Sequence, residues 1–72
     1  MKNLLKTYGL STENEYFQMI AESFIEGQRK QAIEQFNAMP QECKVKLVKL
    51  ATIHSEISDF TPSQISDLID NL

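Results

Sequence analysis

Cysteine is nearly absent from this 72-residue chain, and the single one, Cys43, cannot close an internal disulfide. The stapling expected of a small secreted scaffold is therefore missing, and a reducing, cytoplasmic setting is the expectation. Long apolar runs are absent too. The opening "MKNLLKTYGL" has two lysines but no apolar stretch of signal-peptide length, and nowhere do enough apolar residues stand together to span a bilayer. A soluble, unprocessed chain is expected. Glycine and proline number two each, and all four stand where helices would begin or end. Apolar residues never alternate over a useful length, so nothing predicts a strand.

Charge of one sign is missing from the C-terminal third. No lysine or arginine follows Lys49, while Glu56, Asp59, Asp67 and Asp70 do. Residues 1–27 are also acidic on balance, and residues 28–50 hold Arg29, Lys30, Lys44, Lys46 and Lys49 against Glu34 and Glu42. A basic middle lies between acidic ends, within a net charge of −3. Either the ends fold back and neutralise the middle, or one zone meets an oppositely charged partner. Internal neutralisation is the leading expectation, because so small a chain has few other ways to arrange these charges.

What is present reads as helix. A short first helix in "NLLKTY" stops at Gly9. Thr12 and Glu15 have the spacing of a capping box, and Phe17, Ile20, Ala21, Phe24 and Ile25 then form one apolar face. Gly27 ends that helix in a left-handed cap, and Ala32, Ile33, Phe36 and Met39 give the next its stripe up to Pro40. Arg29 and Lys30 fall in that helix's first turn, where the dipole disfavours cations, so Glu22 and Glu26 across the bend are their expected partners.

The fourth helix, from Pro40 to Ile57, has Cys43, Leu47, Leu50, His54 and Ile57 on one face, flanked by Ala51 and Ile53. Val45, Val48 and Thr52 form a second strip opposite, either a further internal contact or an interface. In the last segment Thr61, Pro62 and Gln64 spell a strong helix start, with Phe60 placed to staple onto Ile65. Ile65, Leu68, Ile69 and Leu72 predict burial through the final residue. Asp67 and Asp70 lie toward the negative end of that helix, and the fourth-helix lysines are the expected compensators. The predicted fold is all-α, a compact bundle of four to five short helices around an αα-hairpin, in a single domain over 1–72.

Catalytic, metal and cofactor chemistry finds no footing. Cys43 and His54 share a face but stand roughly 16 Å apart along one helix, too far for a nucleophile and base or for two ligands of one zinc ion. Glu22 and Glu26 lack the Glu-x-x-His partners of a carboxylate-bridged metal site. No glycine-rich phosphate loop, Gly-x-Ser-x-Gly or His-Glu-x-x-His occurs. Neither an enzyme nor a small-molecule substrate is expected.

Two classes of partner stay open. The favoured one is another protein or a second copy of the chain, met at an acidic stripe of Glu15, Glu22 and Glu26 bordered by Tyr16 and Met19, or at the Val45, Val48 and Thr52 strip. The alternative is a small DNA-binding regulator with a helix-turn-helix-like pair over residues 28–57, in which Lys44, Lys46 and Lys49 face phosphates. Against it stand the net charge, the scatter of those lysines around their helix, and Glu42 at the end that would enter the groove.

Residues 16–40, "YFQMIAESFIEGQRKQAIEQFNAMP", resemble one tetratricopeptide helical hairpin, with Gly27 at the turn and Ala32, Phe36 and Met39 at the small, aromatic and small-apolar positions of its second helix. Ile20 replaces that repeat's usual small residue, Pro40 arrives early and no second copy follows, so the resemblance implies a hairpin and no solenoid. Residues 22–37, "ESFIEGQRKQAIEQFN", are similar to a segment of small uncharacterised proteins of bacterial phages and mobile elements. That likeness implies an accessory role without supplying an activity.

Overall fold

The computed structural model describes residues 1–53 and 60–72. The described residues form five helices, α1 (Lys2–Thr7), α2 (Glu13–Ile25), α3 (Arg29–Asn37), α4 (Gln41–Ile53) and α5 (Pro62–Asp70), and no strand. The all-α bundle follows from local signals. The Thr12 hydroxyl accepts from the Glu15 amide at 3.2 Å while the Glu15 carboxylate accepts from the Thr12 amide at 2.9 Å. Thr61 and Gln64 repeat the arrangement at the same two distances, with Pro62 opening α5. Each box satisfies amides that a helix start would otherwise leave unpaired.

Gly27 has φ +79, and no atom lies within 4 Å of where a Cβ would stand. Conformation and not space therefore demands glycine here. The Gln28 amide donates to the Ser23 carbonyl at 2.8 Å and the Gly27 amide to that of Phe24 at 3.0 Å, the paired bonds of a Schellman end. This bend turns α3 back along α2, and the resulting hairpin is the most extensive helix contact in the molecule. Its core holds Phe17, Ile20, Ala21 and Phe24 from α2 against Ala32 and Phe36 from α3, and Met39, Cys43, Leu47, Phe60 and Leu68 complete it. Burying each large apolar side chain contributes about 1.5–3 kcal/mol.

Four apolar assignments shift. Tyr16, expected on the border of an acidic surface, is wholly buried, and its hydroxyl donates to the Gln35 carbonyl at 2.6 Å. Burial, with Tyr8 packed edge-on beside it, pushes the phenol up to about 12. The buried arc of α2 thus extends on the α3 side, through Tyr16 and Ser23, and Ile25 at its opposite edge is left 67% exposed. Leu72 is 43% exposed and Ile69 48%, because α5 turns only Leu68 fully inward.

Charge zoning behaves as the sequence implies, through different pairs. Arg29 meets Asp67 and not Glu22 or Glu26: Nε donates to Oδ2 and Nη2 to Oδ1, both at 2.8 Å. Lys46 meets Glu13 at 3.1 Å. That contact covers Glu13 Oε1 without the alignment of a hydrogen bond, so it is a charge contact across a water-excluded atom. Asn37 Nδ2 donates to Asn71 Oδ1, and Gln41 Nε2 to the Leu72 carbonyl, each at 3.1 Å. Together these polar contacts hold α5 along α3 and bring its end to the start of α4.

Candidate docking surface

Gln41, Val45, Val48 and Thr52 follow one ridge of α4. Val48 is half-buried against the core, Val45 is half-buried, and Thr52 is exposed. The Thr52 hydroxyl lies 2.9 Å from the Val48 carbonyl, the usual back-bond of a helical threonine, and so has no unmet need for an outside acceptor. Val48 is therefore an internal contact, while Thr52 faces outward.

The helix packed against α4 is α5. Asp67 and Asn71 occupy its flank toward α3, where Arg29 and Asn37 receive them. Ile65, Ile69 and Leu72 fall on the opposite flank by helical spacing. Gln41 bonds to the Leu72 carbonyl, so the end of α5 meets the start of α4. Val45 and Val48 of α4, both half-buried, and Ile69 and Leu72 of α5, both exposed, make up a candidate α4–α5 seam, with Gln41 and Thr52 at the two ends of its α4 side. Ile69 and Leu72 are functional candidates that sequence reasoning places in the core, since the i, i+3, i+4, i+7 run of Ile65, Leu68, Ile69 and Leu72 gives no hint of where burial stops.

The acidic stripe of α2 is smaller than expected. Glu15 is committed to its helix, its Oε1 accepting from the Ser11 and Thr12 amides. Tyr16 is in the core and Met19 is half-buried against it. Glu22 and Glu26 remain exposed and make no ion pair among the described residues. Ile25, which periodicity assigns to the core, is exposed beside them.

The three lysines named for phosphate contact do not share a surface. Lys44 is 8% exposed, with its ammonium 5.2 Å from the centre of the Phe36 ring, a cation–π contact. Lys46 is engaged by Glu13, and Lys49 is exposed. Lys44 is a corrected assignment: its stem crosses the core edge, because its position on α4 lies beside Leu47 on the buried side.

Cys43 is buried, and burial, reinforced by Glu13, pushes its thiol up, away from the thiolate that nucleophilic or metal chemistry requires. His54 and Ile57, and the side chain of Ile53, lie outside the described residues. No described helix is long and apolar enough to cross a membrane. Comparison with protein-family models, curated proteins and solved structures finds no match for this chain.

Proposed function

We propose that this chain is a non-catalytic protein–protein interaction module that docks through the α4–α5 seam onto another protein or a second copy of itself. One observation carries this above the others. Of the large apolar side chains left well exposed, Ile69 and Leu72 share one flank of α5, and α4, the helix packed against α5, carries the half-buried Val45 and Val48. Covering an isoleucine or leucine that is about half exposed recovers part of the roughly 1.5–3 kcal/mol that full burial provides. An apolar centre with uncharged polar ends is also the usual anatomy of a docking patch. An accessory role agrees with the resemblance of residues 22–37 to small mobile-element proteins.

Capture from the native host tests this reading. Wild-type protein is compared with Ile69→Asp and Val48→Asp, each first checked for unchanged helical circular dichroism. Proteins retained by the wild type and lost from both variants support the seam. The same set retained by all three contradicts it.

A further inference from the structure

A second, separate pair of surfaces carries a more specific inference. Between α1 and the turn that follows it runs an open groove of about 400 Å3, lined by Lys2, Asn3, Leu5, Lys6, Leu10 and Ser11. Its shape has a local cause. Gly9 at φ +68 ends α1, with the Leu10 amide donating to the Leu5 carbonyl at 2.8 Å and the Gly9 amide to that of Lys6 at 3.2 Å. This second Schellman end brings Leu5 and Leu10 to one wall, the pair that such a motif sets together. Lys2 and Lys6 are exposed at its edge and make no ion pair among the described residues. Being i and i+4 on α1, they stand about 5–6 Å apart at their Cβ atoms.

The far end of α2 presents the complement. Ile25 projects 67% exposed, and Glu22 and Glu26 stand along one side of it, also at i and i+4 and so at the same spacing of about 5–6 Å. An apolar knob bordered on one side by two carboxylates complements an apolar-walled groove edged by two ammonium groups. Within one molecule they cannot meet. α1 joins α2 at its start, whereas Ile25 is its last residue, roughly 20 Å away at 1.5 Å per residue.

We propose that the chain associates head to tail, with Ile25 of one copy entering the α1 groove of the next and Glu22 and Glu26 pairing with Lys2 and Lys6. Arg29 and Lys46 do not compete for these carboxylates, since Arg29 is held by Asp67 and Lys46 by Glu13. Two different surfaces make a heterologous contact, so assembly does not stop at a dimer. Exposed ion pairs make it salt-sensitive. The contact uses no residue of the α4–α5 seam, so each proposal survives the failure of the other.

Sedimentation velocity over a range of concentrations, at low and at high salt, tests it on the full chain. The wild type is expected to exceed the mass of two 8.3 kDa chains at high concentration and low salt, and to return to monomer in high salt. The E22K/E26K and K2E/K6E variants are each expected to remain monomeric. The fourfold variant K2E/K6E/E22K/E26K, which keeps the net charge of −3, is expected to associate again, and Ile25→Asp to abolish association in either background. A wild type that stays monomeric at every concentration overturns the proposal. So does association that the double reversals leave unchanged, or a fourfold variant that stays monomeric.

Discussion

Arg29 and Asp67 form a two-bond clasp across 38 positions of sequence, with both contacts at 2.8 Å. Each residue is poorly placed in its own helix: a cation in the first turn of α3, a carboxylate near the end of α5. Their pairing offsets both penalties and fixes α5 against the hairpin.

The Arg29 hydrogen bond holds the Asp67 carboxyl below its ordinary value. A depressed value in the folded state contributes stability above the unfolded carboxylate range and loses it as pH falls through the folded value. In Arg29→Gln, the Asp67 midpoint followed by carbon-detected NMR titration is expected to rise toward the ordinary range. The stability gap between wild type and variant should be full at neutral pH and shrink below about pH 4. An unmoved Asp67 midpoint contradicts the clasp.

Tyr16 makes the opposite prediction at the other end of the pH scale. Its phenol is raised to about 12, first by burial and then by Tyr8. Stability linked to it is complete below the ordinary value of about 10 and declines as pH climbs from there toward 12. Absorbance titration of Tyr8→Phe, which leaves Tyr16 as the only tyrosine, should still give a midpoint above 10, because burial is the larger cause. Tyr16→Phe strands the Gln35 carbonyl and is expected to cost about 1–3 kcal/mol in urea denaturation.

Lys44 and Lys49 separate a core-edge lysine from a surface one. Lys44→Glu sets a carboxylate against the Phe36 ring at a nearly closed site and is expected to destabilise by about 1–3 kcal/mol. Lys49→Glu should stay within about 0.5 kcal/mol of wild type. Equal, small effects from both contradict the placement of Lys44.

Gly27→Ala tests the hairpin bend. With open space around the missing Cβ, the cost is that of a left-handed backbone alone, about 1–2 kcal/mol. A neutral substitution would show that the bend does not need φ +79.

Local signals were readable in advance and non-local ones were not. The capping boxes at Thr12 and Thr61, the Gly27 bend and the apolar stripe of α3 each lie within a few residues of what they organise. Tyr16 looked like a surface residue because its acceptor, Gln35, is 19 positions away on the returning helix. Arg29 had nearer carboxylates in sequence, and only the docking of α5 brings Asp67 to it. Ile25, Ile69 and Leu72 carried the period of buried residues, but periodicity gives the direction of a face and not its width. That is why the exposed halves of both proposed contacts were hidden among expected core residues.

The direct measurement of the central claim is site-specific photo-crosslinking in the native host, with a photoreactive side chain at position 69 and, as control, at the exposed Gln31 on α3. Protein adducts at 69 that are absent at 31 are the predicted result, and peptide identification shows whether the captured chain is a second copy. No adduct at 69, or the same adducts at both positions, contradicts docking through the α4–α5 seam.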